Sequence, residues 1–203
     1  MGIVSHGNIL AVFFSASEVE IQEGKTWYDH ANQVARSISI QHYFPRGMYT
    51  VAGVIAALSP NNRWDKNVRD AEALIKVYSA GEELDAVRVS TYNKNKEKAI
   101  RILKGEDPLD VLGGNKVRAF YCCIAGIDDN VCIDGHAFSV WSGERVVTAK
   151  TPKISDKLYQ SIVDDYCRAT DVINQVTGSC YSPAQVQAIT WVTWRNLFSG
   201  ESK

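Results

Sequence analysis

The chain has 203 residues, 45% of them hydrophobic, and a formal net charge of −1 from 22 basic and 23 acidic side chains. That size suits one large domain or two small lobes, and the composition excludes a disordered protein. The balanced charge argues against a binder that holds nucleic acid by electrostatics alone, but not against one whose basic residues gather on one face.

The start of the chain, Met1 to Ser17, holds a short apolar stretch from Ile9 to Phe14. It lacks a basic leader and a small-residue cleavage pattern, so no signal peptide is expected and a cytoplasmic location is. No apolar run is long enough to span a bilayer, and no membrane contact is expected. Thr26 to Tyr43 is helix-compatible and stops at Pro45-Arg46-Gly47. Met48 to Leu58 is nearly all small or apolar and reads as a buried helix, broken by Ser59-Pro60-Asn61-Asn62. Val68, Ala71, Ile75 and Tyr78 then repeat at helical spacing, ending near Gly81. Lys94 to Lys104 is another helix, with Lys94, Lys98 and Arg101 on one side.

Leu112-Gly113-Gly114-Asn115 is a tight turn. Val117, Phe120, Tyr121 and Ile124 follow with helical spacing up to Gly126. A polar loop, Asp128-Asp129-Asn130, leads through Val131-Cys132-Ile133 to Asp134 and a short helix from His136 to Trp141. Leu158, Ile162, Tyr166, Ala169 and Ile173 mark a long helix. Ser182-Pro183-Ala184-Gln185 is a capping box opening the last helix, which runs to Phe198. About nine or ten helices and no convincing sheet predict an all-α fold. The five cysteines (Cys122, Cys123, Cys132, Cys167, Cys180) include no Cys-x-x-Cys pair. Neither a zinc nor an iron–sulfur site is expected, and no cofactor is; Cys122 and Cys123 read as small buried hydrophobes.

Three pieces carry candidate chemistry. Gly113-Gly114 runs directly into a helix, so backbone can approach a phosphate while a helix N-terminus offers free amides. Lys116 occupies the first turn of that helix, where the macrodipole opposes an ammonium and favours the nucleophilic neutral amine. Asp134 is delivered by an apolar run to a helix start, where it reads at least as an N-cap.

A Gly-hairpin, Lys116 and, eighteen positions on, Asp134 in Ile133-Asp134-Gly135-His136-Ala137-Phe138 resemble the endonuclease III branch of the helix-hairpin-helix DNA glycosylases. Val54 to Asn62 resembles the family's helix ending in a DNA-inserting loop, with Asn67, Ala71 and Leu74 continuing the match. Thr91-Tyr92-Asn93-Lys94-Asn95-Lys96-Glu97-Lys98-Ala99 resembles its Tyr-Asn-x-Lys-Ala segment. The resemblance runs from Tyr49 to Trp141 and more faintly through the last two helices. The chain departs from the family in its trimmed Gly-Gly-Asn hairpin, in Gly135 for the usual Thr, in Ser139 where Arg is common, and in lacking the iron–sulfur ligands. These departures bear on substrate identity more than on fold.

The resemblance implies two helical lobes with a helix-hairpin-helix motif and an active-site cleft between them. A central lobe would span 47–129, and 1–46 plus 130–203 would form the second. It implies a monomeric base-excision glycosylase, with lysine-dependent AP-lyase activity, acting on a nucleotide flipped out of double-stranded DNA. Lys116 would attack the deoxyribose C1′ and Asp134 would stabilise positive charge on the sugar. Gly113, Gly114 and Asn115 would grip the backbone beside a basic face of Lys94, Lys98, Arg101 and Arg118. Asn61, Asn62 and Trp64 would fill the vacated space or contact the opposite base. Divergent phage members of this fold are thought to modify thymine-derived bases. A DNA base-hypermodification transferase and a non-catalytic DNA-binding module therefore stand as alternatives.

Overall fold

The computed structural model describes residues 5–44, 47–127, 130–146 and 152–198. Pro45 and Arg46 of the expected helix stop, and Asp128 and Asp129 of the expected polar loop, lie outside them. All regular structure among the described residues is helical, in ten α-helices and one short 3-10 turn, Leu84–Ala86. None of these helices is long and apolar enough to cross a membrane.

The helices are α1 (Ser5–Ser15), α2 (Glu18–Gln41), α3 (Gly47–Leu58), α4 (Trp64–Ser79) and α5 (Asn93–Leu103), then α6 (Pro108–Val111), α7 (Asn115–Ala125), α8 (Gly135–Ser142), α9 (Asp156–Thr177) and α10 (Pro183–Leu197). The chain forms two compact units, residues 29–127 and residues 1–28 with 128–203. The first junction falls inside α2, between Tyr28 and Asp29, rather than at Gly47 as the sequence suggests. The reason is packing: Ala31, Ala35 and Ile38 are buried, and Asn32 Nδ2 donates to the Ile124 carbonyl at 2.8 Å. The second half of α2 thereby belongs with α7.

The unit of residues 29–127 is built around α3, on which every residue from Val51 to Leu58 is buried. A helix apolar on all sides has no face for water and must sit at the centre of its neighbours. It packs against α4, α5 and α7. Gly53 lets α5 and α6 approach closely: a Cβ there would meet Pro108 Cγ of α6 at 2.8 Å and Ile102 Cγ2 of α5 at 3.2 Å. Each of its partners turns one stripe inward, Ala71, Leu74 and Ile75 from α4 and Ala99, Ile102 and Leu103 from α5. Full burial of each Leu or Ile contributes about 1.5–3 kcal/mol. Cys122 and Cys123 of α7 are buried in this core.

In the other unit, Ile9 and Phe13 of α1, Ala137 and Val140 of α8, Ile162, Tyr166 and Ile173 of α9, and Val186 and Ile189 of α10 form one core. Gly24 of α2 lies against α10 so closely that a Cβ would fall 2.3 Å from Ile189 Cα. Both arms of the Ser182–Gln185 capping box are formed, at 3.0 and 3.2 Å. Asn8 Nδ2 donates to the Trp141 carbonyl at 2.9 Å, fixing α1 to the end of α8.

Candidate functional site

In the unit of residues 29–127, α3, α5, α7 and the loops that precede α4, α5 and α7 enclose a groove of about 340 Å³. Its walls are Ala57 at the end of α3 with Pro60 and Asn61 just beyond it, Tyr92, Lys94, Asn95 and Lys98 at α5, and Leu112, Gly113 and Val117 around the glycine turn. Asn61 has φ +56°, a left-handed conformation that asparagine tolerates, and its Nδ2 donates to the Tyr92 hydroxyl at 3.0 Å. Thr91 Oγ1 donates to the Pro60 carbonyl at 2.7 Å, and Asn95 Nδ2 donates to Thr91 Oγ1 at 2.8 Å. The two loops are thus stitched together before any ligand arrives. The Lys94 ammonium stands 5.6 Å from the centre of the exposed Tyr92 ring. Lys98 Nζ reaches the glycine turn, within 3.2 Å of where a Gly113 Cβ would be. No acidic side chain lines this groove. Two ammonium groups in the lining suit an anionic ligand more than a neutral one.

The turn enters α7 through Gly114 at φ +79°, which glycine adopts freely. Asn115 and Lys116, both exposed, form the first turn of α7. Arg118 folds back and donates from Nε to the Leu112 carbonyl at 2.8 Å, so it braces the turn. Arg101 is one helical turn beyond Lys98 but holds Glu106 through both ends of its guanidinium, with Nε to Oε1 at 2.8 Å. This pair raises the Arg101 pKa and lowers that of Glu106, first through the hydrogen bonds between them. The basic face read from spacing is therefore unequal: Lys94 and Lys98 line the groove, and Arg101 is turned to an acidic neighbour. Asn62 is likewise turned away, donating from Nδ2 to Asp70 Oδ2 at 2.9 Å. Trp64 is half-buried at the first position of α4.

Asp134 lies in the other unit, and its placement starts with Tyr159 of α9. The Tyr159 hydroxyl accepts the Ile133 amide at 3.1 Å and donates to the Val131 carbonyl at 2.8 Å. This pins the buried apolar run that delivers the aspartate. Asp134 caps α8, with Oδ1 accepting from the Ala137 amide at 2.8 Å. Its Oδ2 accepts from the Trp191 indole Nε1 at 3.0 Å. The Tyr166 hydroxyl nearby is raised far above its ordinary pKa, chiefly by burial, with the charge of Asp134 adding to the rise. His136 meets Trp191 edge-on at 6.1 Å. Ser139 is buried, bonding the Gly135 carbonyl at 2.9 Å and the Val146 amide at 3.2 Å. A long arginine would not fit there.

Asn61, Lys94, Lys98 and Gly113 share one groove. Lys116 belongs to the same unit, and Asp134 to the other. Two residues were not singled out from the sequence. Tyr92 is an aromatic in an otherwise polar segment, and its 56% exposure identifies it as groove lining. Trp191 has the spacing of an ordinary core residue on α10, and only its indole N–H, which needs an acceptor when buried, hints at more. No group of three or more His, Cys, Asp or Glu among the described residues is arranged to hold a metal ion.

Over residues 4–198 the chain matches the model of a family of unknown function, DUF7178. No curated protein and no solved structure matches it.

Proposed function

The chain belongs to the DUF7178 family, and we propose that it is a DNA base-excision glycosylase with lysine-dependent AP-lyase activity. The observation that carries the proposal is the groove in which Gly113, Lys98, Lys94 and Asn61 meet. Its cationic, backbone-lined surface fits a DNA phosphate strand, and Tyr92 adds a flat ring for a base. The sequence resemblance supplies the chemistry. The glycine turn, Lys116 in the first turn of α7 and Asp134 eighteen residues on keep the spacing of helix-hairpin-helix glycosylases.

In this reading the neutral Lys116 amine donates its electron pair to C1′ and the glycosidic bond breaks, its electrons leaving with the base. The departing base takes up a proton from the lysine nitrogen. The remaining nitrogen pair forms the C=N of a Schiff base as the C1′–O4′ bond breaks and O4′ is protonated. Loss of a C2′ proton then drives β-elimination, in which the C3′–O bond breaks and its electrons leave with the 3′ phosphate. The Asp134 carboxylate opposes the positive charge that builds on the sugar as the base departs.

Borohydride trapping on duplexes carrying single damaged or modified bases tests this. The expected result is a covalent protein–DNA adduct that Lys116→Ala abolishes. Group transfer without base loss would replace the proposal with a base-modifying transferase. Tight binding with neither adduct nor base release would leave a DNA-binding module.

A further inference from the structure

An N-cap aspartate needs one oxygen for its helix. Asp134 uses Oδ1 for that purpose, accepting from Ala137, and its second oxygen is held by a side chain of another helix, the Trp191 indole at 3.0 Å. That indole is itself clamped. The Arg195 guanidinium lies 4.3 Å over its ring, Trp27 meets it at 6.0 Å and 63°, and His136 meets it at 6.1 Å and 89°. A carboxylate held by one oxygen can still turn about its Cβ–Cγ bond. Donors on both oxygens, one from the α8 backbone and one from α10, fix its plane. An indole N–H donates and never accepts, so it suits an acceptor-only carboxylate.

We propose that Trp191 is a positioning residue for Asp134, fixing the plane of its carboxylate through the indole N–H and acting on the reaction only through that carboxylate. This rests on the base-excision reading above. The Trp27, His136 and Arg195 contacts make the indole a rigid support, because turning it would break all three. A group that stabilises developing charge works best when its orientation is set before the charge appears.

The test uses the full chain and two readouts. The first needs no substrate: the chain's five tryptophans give five indole N–H resonances, assigned by triple-resonance experiments. The Trp191 resonance is expected to be protected from solvent exchange, and Asp134→Ala is expected to shift it and remove that protection. An unprotected Trp191 indole in the unsubstituted protein would overturn the proposal, even if Trp191→Phe failed to fold. The second is single-turnover base release. Trp191→Phe, which keeps a ring and removes the donor, is expected to slow release by roughly tenfold to hundredfold, the cost of a small misplacement, with DNA affinity unchanged. In Trp191→Phe/Asp134→Asn the rate is expected to equal that of Asp134→Asn alone. Full activity in Trp191→Phe, multiplicative losses in the double variant, or a parallel loss of DNA affinity would each overturn the positioning role. If the unsubstituted protein releases no base from any duplex, the excision reading falls and this role falls with it. An active protein with an unaffected Trp191→Phe sinks the role alone.

Discussion

Lys98 Nζ lies so close to Gly113 that a Cβ added to the glycine would stand 3.2 Å from the ammonium nitrogen. The lysine on α5 and the glycine turn ahead of α7 thus present one surface, a cation beside unencumbered backbone. Lys98→Glu is expected to weaken DNA binding and to lower the slope of log affinity against log salt by about one unit or more. Gly113→Ala is expected to leave folding stability nearly unchanged, because the displaced atom is the free end of a flexible side chain. It is nonetheless expected to weaken DNA binding. Equilibrium titrations at several salt concentrations check both, and unchanged affinity and slope in Lys98→Glu would remove this face from the interface.

Asp70 ties the loop after α3 to the loop before α5. Its carboxylate accepts from Asn62 Nδ2 at 2.9 Å and from the Ser90 amide at 2.7 Å. Asp70→Ala leaves the Asn62 amide and both the Ser90 amide and hydroxyl without their charged partner and is expected to cost about 1–3 kcal/mol in urea unfolding. It is also expected to free the loops that carry Asn61 and Tyr92, weakening DNA binding with no decrease in the salt slope, since Asp70 neutralises no phosphate. Hydrogen exchange at Ser90 gives a direct check: protection equal to that of the unsubstituted protein would show that the loops do not depend on Asp70.

What was legible in the sequence is what depends on neighbours along the chain. The unbroken apolar run of α3, the Ser182–Gln185 capping box and Asp134 as a helix cap are local patterns, and all three are present. The missed features depend on groups distant in sequence or on close packing. The first turns of α2, from Glu18, are polar and contain Gly24, so they read as a poor helix; the glycine is there because Ile189 leaves no room for a side chain. Arg101 shares a helical stripe with Lys94 and Lys98, but its partner Glu106 lies beyond the helix end, outside any helical period. Trp191 bonds to Asp134 across 57 residues, which no periodicity on α10 can disclose.

Two glycines set up a paired stability test. At Gly24 an added Cβ would stand 2.3 Å from Ile189 Cα and 2.6 Å from its backbone nitrogen, so α2 and α10 would have to move apart. Gly24→Ala is expected to destabilise by about 3 kcal/mol or more, at the upper end of overpacking costs. Gly7 is on α1 with nothing within 4 Å of an added Cβ. Gly7→Ala is expected to stabilise by about 0.5–1 kcal/mol through the lost flexibility of the unfolded chain. Urea midpoints of the two variants should move in opposite directions. A Gly24→Ala variant as stable as the unsubstituted chain would mean that the α2–α10 contact is looser than described.

High pH should unfold the protein through its buried tyrosines. The Tyr121 hydroxyl on α7 is pushed up to about 12, first by burial and then by the charge of Asp107. Tyr166, fully buried on α9, is raised further, again first by burial. In the unfolded chain both ionise near the ordinary tyrosine value of about 10. Below that pH neither state loses the proton, and the stability associated with the raised values is fully present. As pH climbs from about 10 through 12 the unfolded state releases these protons first, so stability falls. The expected result is a cooperative alkaline transition in which the last tyrosinate absorbance appears together with loss of the helical circular dichroism. Tyr121→Phe keeps the ring and removes the ionisable hydroxyl, so its alkaline midpoint should move to higher pH relative to its stability at neutral pH. Tyrosinate absorbance that is complete while the helices remain intact would show that these hydroxyls reach solvent in the folded state.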